Sequence, residues 1–266
     1  MSEFRGLTPD ELSAWTPPVV DNIIANNILL NQGTMCIYGA EGRFKSMLAL
    51  DLMYRIASGL DWFGYKTVPM PTYYFQSEIP QHPLQKRSNK YRTGNNINSK
   101  NCWLATDLYE KLDTGWGATI MEKELTRTQP KVLIIDPLYN SVAAKLTDET
   151  EVDKLINRFN MWRKAFHCAI ILIHHNRKEE HSEGSAFHYG TDELYGHGNI
   201  KKWLDTIIYV ELTNNGDPVV DLKLSFEKVR HAESLLYPMD IQINRNNLVF
   251  TRKFSNAILQ PDNCDD

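Results

Sequence analysis

Cysteine is scarce and unpaired in this chain. Cys36, Cys102, Cys168 and Cys264 are the only four in 266 residues, and no two form a C-x-x-C pair. A disulfide framework or a zinc site needs clustered ligands, so these thiols read as buried groups in a reducing compartment. Long apolar runs are missing too. No stretch approaches the roughly 18 residues of a membrane span, and no signal peptide opens the chain, so it is expected to be cytoplasmic, with no membrane partner. An excess of positive charge is also absent, with a net charge of -4 and a pI near 6.1. Any contact with nucleic acid must therefore be local, such as the lining of a pore. There is neither an internal repeat nor a low-complexity tract. What remains is 42% hydrophobic, enough to build one generous domain or two small ones.

The stretch that organises the rest is Tyr38-Gly-Ala-Glu-Gly-Arg-Phe-Lys-Ser46. A β-rich run at 34–38 precedes it and a helix-like run follows, the strand-loop-helix setting of a phosphate-binding loop. The candidate binding segment is Gly39, Ala40, Glu41, Gly42, Arg43, Phe44, Lys45, Ser46 and Met47. Amides of residues 41–46 can face a triphosphate at the positive end of the helix, Lys45 can reach the outer phosphates, and Ser46 can ligate magnesium. The pattern G-x-x-x-x-G-K-[ST] expects glycine where Phe44 stands, bringing a Cβ and a ring into a tight turn, while Gly42 restores some freedom. A chance Gly-rich turn before an ordinary helix would give the same local signal.

Residues 1–33 read as an N-terminal arm, with a capped helical turn at Leu7-Thr-Pro-Asp-Glu-Leu12, an extended break at Trp15-Thr-Pro-Pro18 and short strands over 19–30. Such an arm covers a neighbouring subunit or its own core. Beyond the loop, Leu48, Ala49, Leu52, Met53 and Ile56 recur at helical spacing until Ser58-Gly59. Pro71-Thr-Tyr-Tyr-Phe-Gln-Ser-Glu78 then reads as a strand whose last residue is a carboxylate, at the sheet edge where ligands bind. Glu78 there can orient and deprotonate a water, although an N-cap or solvated loop charge fits equally well. Residues 80–101, carrying Lys86, Arg87, Lys90, Arg92 and Lys100, read as a solvated helix face and a loop. A short strand is expected at 101–106 and a helix at 118–127.

Lys131-Val-Leu-Ile-Ile-Asp136 is four aliphatic residues ending in aspartate, a buried parallel strand whose tip can hold magnesium in the Walker B manner. A helix follows at 151–167, then a strand at 169–173 tipped by His174 and His175. Neighbours in a strand point to opposite faces, so this pair is a poor metal site. Residues 179–200 read as a long mobile loop, and strands at 206–210 and 219–227 flank the turn Asn214-Asn-Gly-Asp217, with a last strand at 248–251. The fold class is α/β, a mainly parallel sheet flanked by helices with antiparallel strands at one edge.

Taken in order, Gly39 to Ser46, Tyr74-Phe-Gln-Ser-Glu78, Leu133-Ile-Ile-Asp-Pro-Leu138, Ile173-His-His-Asn-Arg-Lys178 and Glu227-Lys-Val-Arg230 resemble the RecA-like hexameric ATPases. Within that group the chain resembles the compact plasmid and phage replicative helicases of the RepA type, more distantly DnaB. The resemblance covers residues 19–252 and implies a RecA-like P-loop NTPase core at 34–252, with a polar tail at 253–266. It implies ATP and Mg2+ as cofactors, with Ser46 and Asp136 at the metal. Lys45, the catalytic carboxylate Glu78 and His174 as γ-phosphate sensor would carry the chemistry. Lys228 and Arg230 would be a finger reaching a neighbour's site, which implies a homo-oligomer, a hexameric ring. Without the resemblance, that pair reads as same-side charges on an edge strand. Single-stranded DNA and a primase or initiator are the implied partners. Channel loops at about 140–149 and 176–199 would offer Lys145, Arg177, Lys178, Lys201 and Lys202 to the DNA backbone. The chain is expected to be a bare motor without a separate DNA-binding domain. The alternative is a RecA- or KaiC-like regulatory or recombination-type ATPase that binds ATP to assemble without unwinding DNA. A small-molecule P-loop kinase is disfavoured, because the long loop lacks the several arginines of a kinase lid.

Overall fold

The computed structural model describes residues 5–16, 22–176 and 190–253. Its frame is a nine-stranded sheet. In chain order the strands are β3 (Thr34–Gly39), β4 (Thr72–Gln76), β5 (Cys102–Ala105), β6 (Val132–Asp136), β7 (Ala169–His175), β8 (Thr206–Asn214), β9 (Val219–Val229), β10 (Met239–Asn244) and β11 (Phe250–Arg252). Across the sheet the order is β11-β10-β9-β8-β3-β7-β6-β4-β5. The strands from β8 to β5 run parallel, whereas β9, β10 and β11 are antiparallel additions beyond β8. Buried parallel strands have no solvent face, which is why Val132-Leu-Ile-Ile and Ala169-Ile-Ile-Leu-Ile are unbroken apolar runs.

Alternation along these strands sorts side chains into two cores. Met35, Ile37, Tyr74, Ile134, Ile171 and Ile173 face one side, where α2 (Lys45–Ser58) and α3 (Gln81–Asn95) lie. Cys36, Tyr38, Leu133, Ile135, Ile170 and Leu172 face the other, against α4 (Gly115–Thr128), α6 (Glu149–Phe166) and α7 (Gly198–Trp203). A short α5 (Leu138–Ser141) follows β6. Near the N-terminus, α1 (Pro9–Ala14) starts with a capping box in which Thr8 Oγ1 accepts from the Glu11 amide and Glu11 Oε2 accepts from the Thr8 amide, and none of its residues is buried. β1 (Asn22–Ile24) and β2 (Leu29–Leu30) make a small hairpin that buries Ile23, Ile24, Ile28 and Leu29 in the same core as α2.

Several boundaries differ from the sequence expectation. β4 stops at Gln76, so Glu78 sits in the turn beyond it. Residues 198–200, expected as the end of a long loop, open a helix that runs to 203, because His197 caps it and Ile200 is buried. The alternating run Met239-Asp-Ile-Gln-Ile-Asn244, unassigned from sequence, is β10. Cys36 and Cys168 are buried free thiols and Cys102 is a half-buried one.

Candidate active site

The loop after β3 turns into α2 through two residues with positive φ, Gly42 at 76° and Phe44 at 58°. Phe44, at the N-cap of α2, thus adopts the left-handed conformation in which glycine is at ease, at a cost of about 1–2 kcal/mol for any other residue. Its ring packs against the α2 core, and the Arg245 guanidinium carbon lies 5.4 Å from the ring centroid. Lys45 is the first residue of α2 and is buried, with Nζ donating to Ala40 O at 2.7 Å. Burial pushes its pKa down to about 8, opposed by the charges of Asp136, Glu78 and Glu41.

One turn of chemistry away, Ser46 Oγ donates to Asp136 Oδ1 at 3.1 Å and the Tyr74 hydroxyl donates to Asp136 Oδ2. Asp136 is buried, which pushes its carboxyl up to about 6 against those two hydrogen bonds. A hydroxyl and a carboxylate 3.1 Å apart, both hard oxygens at the pocket, fit a magnesium ion that keeps most of its water shell. Glu78 is placed by a local device: Gln76 Oε1 accepts from the Glu78 and Ile79 amides at 2.6 and 2.7 Å. The Ser77 amide donates to Asp136 O at 2.9 Å, and Asn140 Nδ2 donates to Glu78 Oε1 at 2.8 Å. Burial raises the Glu78 pKa, with Lys45 opposing, so a carboxylate of raised basicity faces the cavity. That cavity measures about 520 Å³ and is lined by residues 41–47 together with Glu78, Asp136 and His175, a size suited to a nucleotide.

Strand parity separates the two histidines. Tyr38 is in register with His174 and Gly39 with His175. His174 shares its face with Leu172, away from α2; it is fully buried and meets the Tyr195 ring edge-on at 6.0 Å. Burial, then the neighbouring His175, holds its pKa down to about 3. His175 shares its face with Ile173, and both line the cavity.

Lys228 and Arg230 lie elsewhere. Lys228 Nζ donates to Lys201 O and Leu204 O at 2.7 and 2.5 Å, and Arg230 binds Asp205 Oδ1 at 2.9 Å and Lys202 O at 2.6 Å. Asp205 is itself bonded to Thr34, at the start of β3. The phosphate-binding loop begins at the other end of that six-residue strand, roughly 20 Å away at about 3.3 Å per residue. Lys201 and Lys202 sit beside this pair at the C-terminal end of α7. Lys145 is exposed after α5, and Arg177 and Lys178 lie outside the described residues.

Among the lining residues that sequence did not single out are Arg87 and Lys90 on α3, and Arg245 and Leu248 in the turn between β10 and β11. Leu84, Arg87 and Tyr91 share one helical face, with Leu84 and Tyr91 buried, so spacing alone already directs Arg87 inward. The other two needed β10 to be recognised, which its period-two pattern allows.

A family model described as AAA domain matches residues 2–181. No curated protein matches in sequence. Among solved structures, a KaiC-like protein from the hyperthermophilic archaeon Pyrococcus horikoshii is similar, with TM-score 0.58 and 15% identity, covering 88% of this chain and 95% of that one. Flagellar accessory protein FlaH from Methanocaldococcus jannaschii is similar with TM-score 0.55 and 14% identity, covering 85% of this chain and 91% of that one. At such identities the likeness speaks for the fold alone, and it agrees with the parallel sheet, the loop after β3 and the antiparallel edge. With the family model spanning most of its length, the chain belongs to the AAA domain family and is a RecA-like P-loop ATPase in fold.

Proposed function

We propose that the chain hydrolyses ATP as one member of a ring of identical subunits and couples hydrolysis to movement along single-stranded DNA, as a replicative helicase does. The observation that carries this is a division of labour within one subunit. Lys45, Ser46, Asp136 and Glu78 converge on one cavity, while Lys228 and Arg230 stand at the opposite end of β3, out of its reach. In this reading the cavity of one subunit is completed by Lys228 and Arg230 of a neighbour.

In the reaction, the loop amides and Lys45 hold the triphosphate, and Lys45 gains full charge as the phosphates approach. Ser46 and Asp136 would hold a magnesium ion, which when bound would neutralise charge on the outer phosphates. Glu78, braced by Asn140, orients the attacking water and accepts its proton. His175, on the pocket face, takes the phosphate-sensing place that the resemblance gave to His174. Arg230 of the adjacent subunit leaves Asp205 to stabilise the transferring phosphoryl group, with Lys228 beside it. Lys145, Arg177 and Lys178 follow β6 and β7 and are the DNA-facing cations in this reading. A primase or initiator would act on such a ring from outside.

A second reading is a RecA- or KaiC-like ATPase that assembles on ATP without unwinding DNA, and the fold shared with the KaiC-like and FlaH structures fits it as well. ATP turnover with and without single-stranded DNA separates the two, measured on the wild type and on Lys45→Ala, Glu78→Gln and Arg230→Ala. DNA-stimulated turnover that each substitution abolishes, with Arg230→Ala still binding ATP, supports the motor. Turnover indifferent to DNA overturns it in favour of assembly.

A further inference from the structure

The connection between β9 and β10 runs from Arg230 to Pro238 and is clamped by a hairpin from the other end of the chain. Asn26 and Asn27 sit in the turn between β1 and β2, both with positive φ, at 59° and 53°. Glycine would hold that backbone with less strain, but it has no side chain to offer. Asn26 Oδ1 accepts from the Glu233 and Ser234 amides at 3.1 and 2.9 Å and from Ser234 Oγ at 3.2 Å, while its Nδ2 donates to Ser234 O at 3.2 Å. Asn27 Nδ2 donates to His231 O at 2.8 Å, and Leu236 packs on the core that α2 shares. The residues on either side of Leu236 are nevertheless left in water, Leu235 at 80% exposure and Tyr237 at 71%. A segment ordered in advance by side-chain clamps, with a large aliphatic and an aromatic side chain held out to solvent, has the character of a contact surface whose ordering cost is met before association.

We propose that Leu235 and Tyr237 are the apolar anchor with which one subunit grips a second copy of this chain beside that copy's nucleotide cavity, and so hold Arg230 at its mouth. The inference rests on the reading above in which Arg230 acts in a neighbour's site, and it adds the surface that brings it there. Two observations choose the occupant. The clamped segment starts at Arg230 itself, so whatever body receives the Arg230 guanidinium also meets Leu235 and Tyr237 a few residues on. Charge agrees, because the exposed Glu233 between them faces a neighbour whose cavity rim carries Arg43, Arg87 and Lys90. Arg230 and the cavity lie at opposite ends of β3, so the contact joins unlike faces of two subunits. Such a head-to-tail interface repeats from copy to copy and closes into a ring.

Complementation between damaged subunits tests this on the full chain. Leu235→Asp and Tyr237→Ala alter exposed side chains, so each subunit keeps its fold. With ATP and magnesium present, each is expected to weaken self-association about tenfold in sedimentation velocity and to lower turnover, while ATP affinity stays at the wild-type value. Mixing Leu235→Asp with the inactive Lys45→Ala is expected to raise turnover above that of Leu235→Asp alone, because the Lys45→Ala subunit brings an intact Arg230 face to the intact cavity of the other. Arg230→Ala mixed with Lys45→Ala is the control for a site shared between subunits. If Leu235→Asp associates and turns over like the wild type, or stays low when mixed while the control mixture recovers, the anchor is overturned and the role of Arg230 stands. If neither mixture recovers although the wild type hydrolyses ATP, Arg230 does not act in a neighbour's site, and the anchor falls with that reading.

Discussion

Replacing Phe44 by alanine and by glycine separates what its ring contributes from what its backbone costs. Both changes remove the same contacts, the packing of a half-buried ring on the α2 core and the stack beneath Arg245. Full burial of a phenylalanine is worth about 3–5 kcal/mol on truncation, so a half-buried one gives about 2, and the cation–π pair adds about 0.5–1. Alanine keeps the penalty of φ 58°, whereas glycine removes about 1–2 kcal/mol of it and returns about 0.5–1 through the greater entropy of its unfolded chain. Phe44→Gly should therefore be less stable than the wild type but more stable than Phe44→Ala by about 1 kcal/mol. That difference corresponds to about 2–4 °C in melting temperature for a domain of this size. Thermal denaturation of the nucleotide-free proteins, followed by circular dichroism, reads it directly. An alanine variant as stable as the glycine variant would mean that Phe44 is unstrained and the assignment of its backbone to a glycine role is wrong.

Affinity for ATP should be flat from pH 7 to 8 and fall above pH 8, because Lys45, held down to about 8 by burial, loses its proton in the free protein and must regain it on binding; titration calorimetry showing affinity unchanged to pH 10 would refute this. Ile134→Ala, at a fully buried site in the middle of β6, should cost about 3 kcal/mol in urea denaturation. Asn26 Oδ1 accepts from the Glu233 and Ser234 amides at 3.1 and 2.9 Å and so anchors the segment after Arg230; Asn26→Ala should lower ATP turnover while leaving ATP affinity intact, and equal losses in both would count against it. Glu78→Gln should abolish hydrolysis but bind ATP as well as the wild type does, which a filter-binding assay checks.

Much of the site was legible because it is built from contiguous residues. Lys45 and Ser46 follow a strand and open a helix, and Asp136 ends an unbroken aliphatic run, so local pattern sufficed for each. Parity was legible too: counting alternate residues from Ile171 and Ile173 brings His175, not His174, to the α2 face. Glu78 was found on the right segment, but the strand was read two residues too long, since the Gln76 side chain that ends β4 by capping the Glu78 and Ile79 amides has no strong sequence signal. Residues 80–101 read as a solvated face because their charges outnumber their apolar positions, yet Leu84 and Tyr91 suffice to turn Arg87 toward the cavity.

By itself the sequence determined the α/β class, the phosphate-binding loop and the strand that carries Asp136, because these depend on interactions between residues near in the chain. Tertiary structure alone decided which distant residues share the cavity. Arg245 and Leu248 reach Phe44 only because β9 and β10 fold back beside β8 and the Gly94 backbone of α3 admits their turn. It also decided that Lys228 and Arg230 lie at the far end of β3, since an antiparallel β9 beside a parallel β8 returns the chain to the edge opposite the loop. Such placements depend on the direction and order of strands in the sheet, which hydrogen bonding across the whole assembly sets and no local pattern encodes.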